Sequence, residues 1–129
     1  MRFLNTTTIS FEEVSDSEID KLDYAILSHR WGADEDEISY EDRLSSDDEA
    51  LSLKKGFAKI KGFCALASSQ NCRYGWVDTC CINKGDSSEL TEAINSMYLW
   101  YRQSKICHVY LQDVPRKPWT ESEWFDRGW

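Results

Sequence analysis

Three short apolar runs constrain this chain more than any other feature of it. Tyr24-Ala25-Ile26-Leu27-Ser28, Tyr74-Gly75-Trp76-Val77-Asp78 and Ile106-Cys107-His108-Val109-Tyr110-Leu111 are each nearly continuous in apolar side chains. A strand with one wet face alternates in polarity. A strand covered on both faces does not, and parallel sheets flanked by helices are built from such strands. Helical patterns lie between the runs. Leu53, Phe57, Ile60, Cys64 and Ala67 recur at the spacing of one helix stripe, with Lys54, Lys55, Lys59 and Lys61 mostly off it. Asp86-Ser87-Ser88-Glu89 has capping-box spacing, and Leu90, Ile94, Met97 and Tyr101 supply the stripe that follows. Lys105 suits the negative end of that helix. The order strand, helix, strand, helix, strand predicts an α/β fold, in which two right-handed crossovers build a short three-strand parallel sheet with helices packed on it. The Thr- and Phe-rich stretch from Arg2 to Val14 is expected to add an edge strand.

Length sets the scale: 129 residues make one domain, spanning 1–129, and are too few for two. Pro115 and Pro118 break the chain after the last run. Thr120 and Glu123 then have the spacing of a second capping box, with Trp119 and Trp124 as its hydrophobic staple. A helix so well nucleated rarely stops after a turn and a half. The expectation is a third helix cut short at Trp129, and thus a C-terminally truncated piece of a longer domain.

Charge is unevenly distributed. The formal net charge is −8, yet residues 12–50 hold fifteen carboxylates and only three bases, Lys21, Arg30 and Arg43. Such acidity argues against sequence-independent nucleic-acid binding, which depends on Lys and Arg neutralising phosphates. The acidic run from Asp34 to Glu49 is read as a solvated loop, with divalent-ion binding as the lesser alternative. No stretch of about 18 apolar residues exists to form a spanning helix, and the N-terminus lacks the apolar segment of a secretory signal. Five cysteines (Cys64, Cys72, Cys80, Cys81 and Cys107) form no C-x-x-C pair, and His29 and His108 lack metal-ligand spacing. Buried thiols in a reducing compartment are expected, with a cytoplasmic or nuclear location the default and no metal.

In open parallel sheets, ligands bind beyond the carboxyl ends of the strands. That rule selects Ser28, His29, Arg30, Trp31 and Gly32 after the first strand, Asp78, Thr79, Cys80, Cys81 and Asn83 after the second, and Gln112 and Asp113 after the third. Arg30 suits a phosphate or carboxylate, Trp31 stacking, and Asp78 a ligand hydroxyl. Other readings stand beside these. His29 is either a hydrogen-bonded structural group or a catalytic base. Trp31 and Trp76 could simply belong to the core. Asp78 could cap a loop or pair with Arg30. A Cys80–His29 nucleophilic pair oriented by Asp78 is a further alternative. Neither a dinucleotide-binding G-x-G-x-x-G nor a P-loop is present.

Four blocks carry a family resemblance. Residues 24–32 (Tyr24-Ala25-Ile26-Leu27-Ser28-His29-Arg30-Trp31-Gly32) resemble the opening motif of the fungal heterokaryon incompatibility (HET) domain. Trp76-Val77-Asp78-Thr79-Cys80-Cys81-Ile82-Asn83-Lys84 resembles its second block, and residues 92–101 resemble the helix that follows. Trp124-Phe125-Asp126-Arg127-Gly128-Trp129 resembles the start of its third block. Several blocks in the right order, from about Met1 to the end, make the resemblance specific. It implies a cytoplasmic cell-death effector domain of fungal non-self recognition, acting by homotypic assembly or with other death-effector or receptor domains. It also implies a flavodoxin-like, TIR-related three-layer fold and, as the alternative function, NAD cleavage with no further cofactor required. The family's third block continues into a Leu-Gln-Glu stretch that this chain lacks, so the glutamate matching the TIR catalytic acid would lie past the chain end and the chain alone should cleave little NAD. Glu123, the nearest carboxylate, is committed to the cap; Glu92 and His29 are the weak catalytic candidates.

Overall fold

The computed structural model describes residues 1–114 and 118–126. The three apolar runs form β3 (Tyr24–His29), β4 (Tyr74–Trp76) and β5 (Ile106–Tyr110), all parallel, with β3 between the other two. Every residue of β3 is buried, which is why its sequence does not alternate. The sheet is larger than the sequence predicts. Residues 2–13 fold back on themselves as a hairpin of β1 (Arg2–Asn5) and β2 (Phe11–Glu13), and β1 pairs antiparallel with β4. The result is one mixed sheet of five strands in the order β2-β1-β4-β3-β5, not three parallel strands. Phe3 and Leu4 are fully buried, so β1 belongs to the core, while β2 is the edge strand expected of this stretch.

The two long helices cover opposite faces of the sheet. On α4 (Lys55–Ser69), Phe63 presses on Gly75, where an added Cβ would lie 2.8 Å from the ring. On α6 (Ser87–Gln103), Trp100 and Tyr101 meet the edge of the Trp76 ring, and the Trp100 carbonyl accepts the Tyr24 hydroxyl at 2.6 Å. Neighbouring residues of a strand point to opposite faces, so Gly75 and Trp76 separate the two helices. Both stripes differ in detail from the predicted ones. Leu53 precedes α4 and is 89% exposed, while Gly56 and Phe63 join the buried row. In α6 the buried residues are Ala93 and Trp100, and Ile94 is 64% exposed. Only the Asp86 half of the capping box forms, because Glu89 turns instead to Arg2 and the Asn83 amide.

The acidic run is a solvated loop only in part. After α1 (Asp16–Ile19) and β3, it folds as α2 (Tyr40–Ser45) and α3 (Asp48–Leu51). Ser39 and Asp42 form a complete capping box at the start of α2, and Asp47 caps α3. Ile38 and Leu51 reach the core. The lysines of the α4 region then close on this segment: Lys54 on Asp42 at 2.6 Å, Lys55 on Asp36 at 3.0 Å, and Lys59 on Glu37 at 2.7 Å. The charge asymmetry of the sequence is thus partly answered within the molecule. Gly56 is required at this seam: its amide donates to the Asp36 carbonyl at 2.8 Å, and a Cβ would stand 2.5 Å from that oxygen.

The third helix expected after Pro118 is instead two 3₁₀ turns, Trp119–Glu121 and Glu123–Asp126. Pro118, not Thr120, precedes the first turn and no side chain caps it; Trp119 stacks on Phe125. The Glu123 side chain and residues 115–117 and 127–129 lie outside the described part. No helix among the described residues is long and apolar enough to cross a membrane.

Candidate ligand-binding site

Because β3, β4 and β5 run parallel, their exits share one end of the sheet. His29 closes β3 with its side chain fully enclosed. α5 (Asp78–Cys81) starts directly after β4 and places Asp78 in its first turn. His29 Nε2 lies 3.0 Å from Asp78 Oδ1, and His29 Nδ1 lies 2.8 Å from Lys59 Nζ. A lysine ammonium can only donate, so Nδ1 accepts and Nε2 carries the hydrogen given to Asp78. Donor bookkeeping therefore selects the neutral Nε2–H tautomer.

The network extends at both ends. Lys59 Nζ donates to both Glu37 oxygens at 2.7 and 2.8 Å, and the Gly32 amide donates to Glu37 Oε1 at 2.7 Å. Trp31 Nε1 donates to Asp78 Oδ2 at 2.9 Å. Trp31 and Gly32 are consecutive, so the contacts close into a ring: Trp31, Asp78, His29, Lys59, Glu37, Gly32. Burial works to raise the Asp78 carboxyl, but the hydrogen bonds from His29 and Trp31 and the nearby Lys84 charge outweigh it and hold the group below its ordinary value.

A cavity of about 270 Å³ opens beside this ring, lined by Trp31, Asp34, Glu37, Ile38, Ser39, Thr79 and Lys84. Trp31 is 54% exposed, and Lys84 Nζ sits 4.0 Å from its ring centroid. Thr79 is only 4% exposed, and its hydroxyl oxygen is buried without a hydrogen-bond partner. A smaller cavity of about 80 Å³ gathers Gly32, Gln112 and Lys59 on the same rim.

The sequence-selected residues therefore divide. Trp31, Gly32, Asp78 and Thr79 meet at the rim, with His29 beneath them as a fully engaged group. Ser28 is buried within β3, paired beside Val109, and Arg30 is exposed. Asn83 accepts the Gly85 amide and is spent on its own turn. Cys80 is buried completely, its thiol on the Val77 carbonyl; a hydrogen bond with Cys81, and then burial, push it well above its ordinary value. Both imidazole nitrogens of His29 are already taken, so the Cys80–His29 pair does not form. Glu92 is exposed on α6 and lines a separate cavity of about 360 Å³ with Arg2, Trp76 and Glu89, which shares no residue with the Trp31 cavity. Among the described residues, no group of three or more His, Cys, Asp or Glu could hold a metal.

Lys59, Glu37 and Lys84, with Asp34, Ile38 and Ser39 of the cavity wall, escaped the sequence reading. Lys59 looked like a solvated lysine off the apolar stripe, Glu37 one carboxylate among many, and Lys84 the end of a motif. The available signal was a lysine-rich helix start facing an acidic run of similar length.

A model of the heterokaryon incompatibility protein (HET) family matches residues 24–117, which hold β3 to β5 and most of the site. Vegetative incompatibility protein HET-E-1 of Podospora anserina is 49% identical to the chain over 119 residues. That match covers 82% of this chain and 8% of the relative, so the chain corresponds to a small part of the relative's length. No solved structure matches the chain. The family match across most of the length and the near-half identity place this chain in the heterokaryon incompatibility (HET) family.

Proposed function

We propose that this domain is a cell-death effector module of fungal non-self recognition, working in the cytoplasm by homotypic assembly. Family membership supports the role, and the outer face of α6 supports the mode of action. Ile94 and Tyr98, one turn apart on the same face, are 64% and 79% exposed. Apolar and aromatic groups clustered in solvent mark surfaces that meet another protein. The test is light scattering across a concentration series for the parent and for Ile94→Lys with Tyr98→Lys. Self-association that the double variant abolishes supports the reading, and a parent that stays monomeric at every concentration overturns it.

A second reading is TIR-like NAD cleavage, favoured by the cavity beside Trp31 and the supported Asp78 carboxylate. Trp31 would stack on a base and Asp78 would take a ribose hydroxyl. Glu92 stands on another cavity and is not part of this proposal. Nicotinamide release from NAD, followed for this chain and for a longer protein containing it, tests the reading; no release from either at high concentration rejects it.

A further inference from the structure

The cavity beside Trp31 carries a charge pattern that suits a cation. Glu37 is spent on Lys59 and Gly32. Asp34 lines the cavity, and Asp78, ionised by its surroundings, stands at the Trp31 indole nitrogen. The cation of the lining, Lys84, is 4.0 Å from the centre of the Trp31 ring rather than in an ion pair with a described carboxylate. An ammonium over an indole face is the geometry that recognises organic cations, because the ring quadrupole is negative on its face. The molecule thus fills its own aromatic site with its own lysine. Thr79 supplies an independent mark: a hydroxyl in a residue 4% exposed, lining the same cavity, with neither donor nor acceptor role satisfied. Buried hydroxyls in folded proteins are normally partnered, so this one, enclosed while Lys84 lies over Trp31, has capacity to spare for a ligand that takes the lysine's place.

We propose that this cavity recognises a small hydroxylated organic ammonium ion, with Lys84 as the intramolecular occupant that the ligand displaces. The cationic head takes the place of the Lys84 ammonium over Trp31, with Asp78 and Asp34 as countercharge, and the ligand hydroxyl meets Thr79. A small anion would instead face both carboxylates. The inference rests on the reading that this cavity binds a ligand, but not on assembly or on NAD cleavage.

Choline is the probe, titrated calorimetrically into the intact chain. Its uncharged isostere 3,3-dimethylbutan-1-ol, tetramethylammonium and inorganic phosphate are titrated alongside. Choline is expected to bind and the uncharged isostere not. Lys84→Gln removes the internal competitor and is expected to tighten choline binding about tenfold, the scale of one cation–π contact. Trp31→Leu is expected to abolish binding while Trp31→Phe keeps part of it, a rescue that a folding defect would not produce. Thr79→Val is expected to weaken choline and leave tetramethylammonium unchanged. Equal binding of the isostere, weaker choline binding by Lys84→Gln, phosphate binding in place of choline, or no choline binding even to Lys84→Gln each overturns the proposal. Nicotinamide release measured on the same samples bears on NAD cleavage alone, so the two readings fail separately.

Discussion

Helices α4 and α6 have similar lengths and cover opposite faces of one sheet, yet they finish their surroundings differently. α4 buries Gly56, Phe57, Ile60, Phe63, Cys64 and Ala67, and the lysines at and just before its start are tied to the acidic segment. α6 buries Ala93 and Trp100 and leaves Ile94, Tyr98 and Leu99 in solvent. α4 leaves one large apolar side chain exposed, Leu66 at 47%, whereas α6 leaves three. The α4 side should therefore govern stability, and the outer face of α6 should govern contacts with other molecules.

The largest effect is expected at the Glu37–Lys59 pair, which is almost wholly enclosed. Lys59→Met or Glu37→Gln alone leaves a buried partner uncompensated and should cost about 3–5 kcal/mol. The double variant should cost less than the sum, because the orphaned charge is gone. Urea unfolding of the four proteins measures this, and additive losses would deny the coupling. Next in size is Gly56→Ala, whose methyl meets the Asp36 carbonyl and should cost about 1–3 kcal/mol. Gly62→Ala, on the same helix, meets nothing within 4 Å and should instead stabilise by about 0.5–1 kcal/mol. Opposite signs at two glycines six residues apart would locate the seam; equal signs would erase it.

These expectations rest partly on features that sequence reasoning could reach and partly on ones it could not. Strands β3 and β4 were legible because burial on both faces removes polar residues from the run, whereas β5 is an edge strand with Cys107 and Tyr110 exposed and was legible from its apolar composition alone. The shared rim of His29, Trp31 and Asp78 followed from parallel order alone. The N-terminal hairpin was half legible: its composition suggested a strand, but nothing local says that Phe3 and Leu4 are core. Of the α6 stripe, Leu90, Met97 and Tyr101 do pack against the core, and only Ile94 was misplaced, because Ala93 fits the helical period as well and only packing against the sheet makes the smaller residue the buried one. The pairing of Glu37 with Lys59 depends on how an acidic segment lies against a helix that starts eighteen residues later, and spacing carries no record of that.

A smaller effect is expected with acid. The folded-state Asp78 carboxyl lies below its ordinary value, so its contribution to stability is complete above the unfolded carboxylate pKa of about 3.9 and lost as pH falls through the folded value. Asp78→Asn should therefore be destabilised most at neutral pH, and its stability should fall less than the parent's below pH ~4. Thermal melts from pH 7 to 3 test this, and parallel curves would contradict it. Burial lowers His108, in the α4–β5 groove, so the folded state disfavours its protonation and stability should decline as pH falls below about 6.5. His108→Phe should flatten that decline. The smallest stability change is expected on α6, where Ile94→Lys should alter unfolding by no more than about 0.5 kcal/mol while abolishing self-association.

The closed circuit through Trp31, Asp78, His29, Lys59, Glu37 and Gly32 has a consequence for how the rim behaves as a unit. Its members come from the β3 exit, the acidic segment, α4 and α5, and each holds the next in a single orientation. Each link of such a circuit supports its neighbours, so a cut at one place weakens the next. Loosening the acidic segment would release Glu37, then Lys59 and the imidazole, and at last the indole that faces solvent. A disturbance on α4, at Lys59, thus reaches Trp31 through a relay of hydrogen bonds rather than along the backbone.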